Sequence, residues 1–133
     1  MVTRLPVATH QREQFLNVTD QVAEVLKESG VQSGVCTLFV PHTTAAITIN
    51  ENADPDVVSD MLEGLRCIVP HHQDFYRHAE GNSDAHIKTS LLGTSAPVLI
   101  ENGKLLLGQW QGIYFCEFDG PRSRRLWVKI AAD

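Results

Sequence analysis

Cysteine is scarce in this 133-residue sequence, and the three present, Cys36, Cys67 and Cys116, lie far apart in the apolar stretches GVCTLFV, GLRCIVP and IYFCEF. An odd, scattered set offers no disulfide framework and suits small buried thiols in a reducing compartment, so a cytoplasmic location is expected. None of the three has an adjacent base and no G-x-S-x-G elbow occurs, so covalent catalysis is not indicated. Basic charge is also short, with 11 Lys and Arg against 16 Asp and Glu and a formal net charge of −5. That balance gives no global field to attract nucleic acid or an anionic membrane, and any anionic ligand needs a local site. No apolar run approaches membrane-spanning length, and the opening MVTRLPVATHQREQ lacks the apolar core of a signal peptide. The P-loop pattern is missing, as are repeats, linkers and low-complexity segments. What remains is the size and apolar content of one domain, residues 1–133, with one core.

Within that domain the residue patterns alternate unevenly between strand and helix. TRLPVAT and QFLNVT read as short strands. Thr19 is a fair N-cap for a helix with Val22, Val25 and Leu26 on one face and Gly30 at its end. GVCTLFV is β-branched and almost wholly apolar, the pattern of a strand covered on both faces, and AAITI is its expected neighbour. Asp54 followed by Pro55 begins a helix in which Val57, Val58, Met61, Leu62 and Leu65 recur at helical spacing. After a polar, His-rich loop, Asp84 stands as N-cap of a short helix, AHIKTSLL, stopped by Gly93. Asn102-Gly103 marks a tight hairpin inside APVLIENGKLLLG, because both residues tolerate positive φ. GIYFCEF and RRLWVKIAA, joined by DGPR, complete the strands. Many strands with two or three helices and no regular βαβ alternation predict an α+β fold of mostly antiparallel, sandwich-like sheets. Apolar strands such as PVLIE and KLLLG carry few charges to blunt an exposed edge, which favours an oligomer.

Two polar clusters carry the chemistry. PHTTAAITINENADPD follows the strongest strand and supplies His42, Thr43, Thr44, Glu51, Asn52 and Asp54 at strand ends, where rigid scaffolds present reactive groups. Asn52 and Asp54 also have ordinary duties in turning and capping the chain. YRHAEGNSDAHIKTS packs His78, Glu80, Asn82, Ser83, Asp84, His86 and Lys88 around one glycine. His42, His78 and His86 sit beside polar groups near loops, whereas His10, His71 and His72 do not. Three neutral imidazoles converging on one ion leave a position open for water or substrate. The spacing alone is too loose for a metal signature and is equally that of exposed loop histidines. Asp84 either caps the short helix or orients His86, and the two roles are compatible. EGNSDAH resembles a turn-to-helix entry whose free N–H groups bind phosphate, with Asn82 and Ser83 as further donors. Arg122 is suited to a bidentate clamp on such an anion, while Arg124 and Arg125 read as a solvated strand face. Trp110, flanked by Gln109 and Gln111, stacks on a ligand ring or packs in the core.

Taken together, VPHTTAAITINENADPDVVSDML, HAEGNSDAHIKTSLLG and LLLGQWQGIYFCEFDGPR resemble the YjbQ-like family, described as secondary thiamine-phosphate synthase enzymes. The resemblance runs from about GVCTLFV to the C-terminus, with a fitting strand and helix before it. It implies a β-sandwich-like α+β fold, a homotrimer, and a site for a divalent metal ion, zinc or magnesium, or an anion. His42 of PHTT, His78 of RHAEGN and His86 of SDAH are the implied metal-site histidines, and Glu51, Asn52, Asp84, Gln111 and Arg122 the implied pocket residues. The implied activity is a weak thiamine-phosphate synthesis, which joins hydroxymethylpyrimidine pyrophosphate to a thiazole phosphate and releases pyrophosphate. Such a displacement needs the leaving group neutralised, for which Thr43, Thr44, Ser83 and Arg122 are suited, and an acid or base such as Glu51 or Asp84. The alternative from another class is a trimeric module that binds a metal or a small anionic metabolite without turning it over.

Overall fold

The computed structural model describes all 133 residues. The order is β1 (Val2–Ala8), β2 (Gln14–Asn17), α1 (Thr19–Ser29), β3 (Gly34–Phe39), β4 (Ala45–Glu51), α2 (Pro55–Ile68), α3 (Ser83–Leu92), β5 (Ser95–Glu101), β6 (Lys104–Leu105), β7 (Gln111–Glu117) and β8 (Ser123–Ala132). These form two antiparallel sheets, one in the order β1-β8-β3-β5-β6 and one in the order β2-β7-β4. The α+β class with three helices is therefore as the residue patterns predict.

The core lies between the sheets, where Cys36 and Leu38 of β3, Leu126 and Val128 of β8, and Ile47, Ile113 and Phe115 from the smaller sheet pack together. Val22 and Leu26 of α1 join the same cluster. A smaller cluster of Ala46, Ala85, Tyr114, Cys116 and Phe118 sits on the other face of the three-stranded sheet, with Val58 and Leu65 of α2 and Leu92 of α3 against it. The strand buried on both faces is consequently β7, in which every residue after Gln111 is buried. β3 was expected in that role, but its burial alternates, and Thr37 and Phe39 face outward. That outer face carries the stacked rings of Phe39 and Trp127, 5.8 Å apart, with the Arg4 guanidinium over Trp127.

Local signals fare differently at the helix ends. Asp54 caps α2 as expected, accepting the Asp56 N–H at 2.9 Å, with Pro55 at the first helical position. Gly30 ends α1 in the left-handed region at φ 71°. Asn102 and Gly103, at φ 52° and 72°, close the β5–β6 hairpin. Thr19 is not a cap: Val18 holds that position, and the Thr19 hydroxyl donates to Asn17 Oδ1 and accepts the Ile113 N–H at 2.9 Å. Asp84 is not a cap either, because α3 begins at Ser83, two residues earlier than expected, and Asn82 occupies the N-cap. Cys67 is exposed on α2, unlike the buried Cys36 and Cys116. Trp110 is exposed as well, outside the core.

Candidate functional site

Residues 40–44 carry the chain from β3 in the larger sheet to β4 in the smaller one. At the same end of the sandwich β7 leaves the smaller sheet at Glu117 and β8 enters the larger one at Ser123. The start of α3 lies over these crossings. Between them opens a cleft of about 580 Å³ lined by His42, Thr43, Thr44, His78, Glu80, Asn82, His86, Asp119, Arg122 and Arg124, with few apolar residues. All three histidines singled out from the sequence thus line one cleft, whereas His71 and His72 stack on each other elsewhere, 4.0 Å apart.

The floor is a buried ion pair. Glu117 Oε1 accepts hydrogen bonds from Arg124 Nε at 2.8 Å and Thr9 Oγ1 at 2.7 Å. Its Oε2 accepts from Arg124 Nη2 and from the Asp119 N–H, the latter at 3.0 Å. Arg124 Nη2 also donates to Thr44 Oγ1 at 2.8 Å. Burial works to raise the Glu117 pKa, but the bonds from Arg124, the Asp119 amide and Thr9 prevail and hold it below the usual carboxylate value. Arg124, read from sequence as a solvated residue, is instead buried, because β8 turns it inward beneath the cleft. Breaking such a pair by removing one partner leaves a lone buried charge, at a cost of roughly 3–5 kcal/mol. The chain passes this floor through Gly120, where an added Cβ would lie 2.4 Å from Gln11 O and 2.8 Å from Thr9 Oγ1. Only glycine fits there.

On the walls, His42 Nε2 accepts the Arg125 N–H at 2.9 Å. An Nε2 that accepts an N–H keeps its lone pair, so the ring is neutral and carries its proton on Nδ1; burial, then the charge of Arg124, lowers its pKa from the ordinary value. Arg122 is half exposed and held by Asp119, with Nε donating to the Asp119 carbonyl at 2.7 Å and Nη2 to its carboxylate at 2.9 Å. Asn82 Nδ2 donates to the same carboxylate at 2.8 Å, and Asn82 Oδ1 is buried without a partner. His78 and His86 face each other with ring centroids 5.5 Å apart, and Glu80 approaches His78 Nε2 at 3.9 Å.

Several candidates lie elsewhere. β4 starts at the cleft with Ala45, and Glu51 ends it, roughly 20 Å away at ~3.3 Å per residue. There Glu51 pairs with Gln111 across the ladder and Asn52 packs on Gly112, so Glu51, Asn52 and Gln111 form a separate polar group outside the cleft. Asp84 is fully buried behind it: Arg12 donates to both of its oxygens, at 2.9 and 3.2 Å, and Lys88 Nζ to Oδ2 at 3.1 Å. It therefore neither caps α3 nor orients His86. Ser83 lines the adjoining depression rather than the cleft. Glu117, Thr9 and Asp119 escaped sequence reasoning. The one signal was an acid inside the otherwise apolar IYFCEF, where a buried carboxylate demands a partner.

A divalent metal ion needs several donors converging on one point. No three His, Cys, Asp or Glu side chains are disposed to hold one. His78 and His86 offer two imidazoles, but the Nε2 of His42 is already engaged and its Nδ1 bears a proton. The implied three-histidine set is thus not formed within one chain. Charge points the same way for anions, since the two guanidiniums at the cleft meet three carboxylates, Glu80, Glu117 and Asp119.

Comparison with known proteins is consistent along the whole chain. The family model described as UPF0047 protein YjbQ-like matches residues 3–133. UPF0047 protein YugU of Bacillus subtilis is 49% identical over 130 residues, 98% of either chain. UPF0047 protein MJ1081 of Methanocaldococcus jannaschii is 49% identical over 133 residues, 100% of this chain and 96% of that one. A crystal structure from Clostridium acetobutylicum, of an uncharacterized conserved protein of the yjbq/upf0047 family, superposes with a TM-score of 0.95 at 54% identity, covering 97% of this chain and 99% of that one. A YbjQ-like protein of unknown function from Sulfolobus solfataricus superposes with a TM-score of 0.95 at 32% identity, covering 100% and 97%.

Proposed function

The chain belongs to the YjbQ-like UPF0047 family, and on that premise we propose that its cleft binds a small phosphorylated molecule and acts on it as a transferase with weak thiamine-phosphate synthase activity. The observation that carries this reading is the gathering of directed hydrogen-bonding groups from four separate stretches of the chain, 39–44, 78–86, Thr94 and 119–124, into one polar cleft. Thr43 brings a hydroxyl, Arg122 a guanidinium, and His42 a neutral Nδ1–H, while Asn82 Oδ1 is an open acceptor for a ligand hydroxyl or N–H. Because both arginines are paired, recognition rests on hydrogen-bond geometry more than on net charge. His78 and His86, with ring centroids 5.5 Å apart, are the groups suited to hold a proton and pass it to the departing pyrophosphate. A divalent ion, zinc or magnesium, would find these two imidazoles and need further donors from outside the chain. We propose in addition that the protein works as a cytoplasmic homotrimer, as the family resemblance implies. No helix is long and apolar enough to cross a membrane.

The second reading, a binding module without turnover, is favoured by one specific observation: neither carboxylate chosen from the sequence as acid or base, Glu51 or Asp84, lines the cleft. One pair of measurements separates the readings. Inorganic pyrophosphate at about 100 times its Kd is expected to stabilise the protein against unfolding by about 2.7 kcal/mol, and no protection would sink both. Thiamine-phosphate formation from the two phosphorylated precursors is expected for the wild type and is largely lost in His78→Gln and His86→Gln. Equal, very slow rates in all three proteins would leave the binding module.

A further inference from the structure

The strand register of the larger sheet assigns the residues of its outer side. Arg4 of β1 stands across from Trp127 of β8, and Trp127 across from Phe39 of β3. Two residues along β8 in one direction, Lys129 stands across from Thr37; two residues in the other, Arg125 stands across from Pro6. β8 therefore presents cation, ring, cation at successive outward positions, about 7 Å apart at ~3.3 Å per residue. Arg4, Thr37, Phe39, Arg125 and Lys129 are all exposed. The rings of Phe39 and Trp127 are stacked at 28°, and the Arg4 guanidinium lies 5.5 Å from the centroid of Trp127. None of these three cations has a carboxylate within ion-pair distance, unlike Arg12, Arg66, Lys88, Arg122 and Arg124. Arg125 is held only by a backbone carbonyl, its Nη1 donating to Arg124 O at 3.1 Å. Of the 16 acids in the chain, the outward positions of β1, β8, β3 and β5 carry one, Glu101 at the far end of β5, which faces Lys104 across the ladder.

We propose that this face binds single-stranded nucleic acid, with phosphates on Arg4, Arg125 and Lys129 and a base on the Phe39–Trp127 pair. Charge complementarity selects a polyanion, because a chain of net charge −5 repels one except at such a local patch. The rings select its kind. A single strand offers open base faces in alternation with phosphates, the same alternation that β8 presents as rings and cations, whereas a duplex hides its base faces in the stack. The inference does not depend on what the cleft binds.

The test is fluorescence anisotropy of labelled thymidine and uridine strands of about twelve nucleotides, the site size of one single-strand-binding module, titrated with the wild type, Lys129→Gln and Trp127→Leu across a salt series. Phe39 also lines the cleft, so the variants leave it untouched. Solution mass is recorded for each protein. The wild type is expected to bind with a Kd of about 1–100 µM at physiological salt, and log affinity to fall against log salt with a slope near about −2, from three phosphates at about 0.7 each. Lys129→Gln is expected to lessen that slope by about 0.7. Trp127→Leu is expected to weaken binding about tenfold with the slope kept, as loss of one stacked base does. In Trp110→Phe the remaining tryptophan is Trp127, and quenching of its fluorescence by the strand reads the stacking even where Trp127→Leu fails to fold. A preference for uridine or for thymidine sustains the proposal and names RNA or DNA as the source. Absence of binding, binding that neither variant alters, an unquenched Trp127, or equal affinity for a duplex of the same length would each overturn it. A fall in solution mass in Lys129→Gln or Trp127→Leu would assign the face to contact between copies and overturn it too.

Discussion

His42 takes one hydrogen bond at Nε2 from the Arg125 backbone, and that contact alters what the ring offers the cleft. A histidine is a ligand through a lone pair and a donor through a proton, and a neutral ring has one of each. With the lone pair spent on Arg125, the cleft receives the proton. The expected consequence is that His42→Ala leaves the zinc content per chain unchanged in protein purified without tags or chelators and then supplied with zinc, whereas His86→Ala lowers it. Metal analysis by mass spectrometry checks this, and an equal fall in both variants would return His42 to the ligand set. Residue type misled in a similar way at Arg124, whose charge suggested solvent. The acid that neutralises it, Glu117, is seven positions earlier, at the end of β7 in the other sheet.

α3 holds His86 and Asn82 at the cleft by its opposite face. Asp84 and Lys88 are one helical turn apart and both are buried. Lys88 Nζ donates to Glu13 Oε2 at 2.8 Å, and Glu13 Oε1 accepts from Arg66 Nε of α2 at 2.9 Å. With Arg12 on Asp84, the network ties the β1–β2 turn, α2 and α3 into one unit. For Asp84 and Glu13 burial works to raise the pKa, but the bonds from Arg12, Lys88 and Arg66 prevail and lower both, from 3.8 and 4.5 respectively. A carboxylate depressed in the folded state stabilises fully above its unfolded pKa, and that contribution is lost as pH falls through the folded one. Urea midpoints are therefore expected to hold down to about pH 5 and then to fall steadily through and below about pH 4. Asp84→Asn should flatten that acid limb and, at neutral pH, cost roughly 3–5 kcal/mol by leaving Arg12 and Lys88 short of a counter-charge. An unchanged acid limb in the variant would show that Asp84 is not a source of the pH dependence.

At the scale of the whole molecule, apolar surface stands uncovered. Ile68, Leu99, Leu106 and Trp110 are each more than half exposed, and α2 buries none of its residues completely despite its apolar face. The outer face of β3 adds Phe39, and the two-residue β6 is a short edge beside β5. A second copy covering such surfaces would remove them from water, which agrees with the expected trimer. Light scattering at micromolar concentration is expected to give about three times the 14.8 kDa chain mass. A stable monomer under those conditions would sink the expectation.

The sequence by itself determined what neighbouring residues decide together. Asp54-Pro55 starts α2, Gly30 and Gly93 end two helices, Asn102-Gly103 turns the β5–β6 hairpin, and the alternation of apolar runs sets the α+β class. It also picked out the three histidines of the cleft, because PHTT and the loop around Gly81 stand where strands and helices end. Only the tertiary structure decided that Thr44 and Arg124, 80 positions apart, bond to each other, that Arg12 reaches Asp84 across 72, and that Glu51 lies at the far end of the strand from His42. Local signals are short-range preferences of the backbone and survive reading in one dimension. The partner of a buried charge is set by which turns, helices and strand ends the packing of the two sheets brings together, and no spacing along the chain records that.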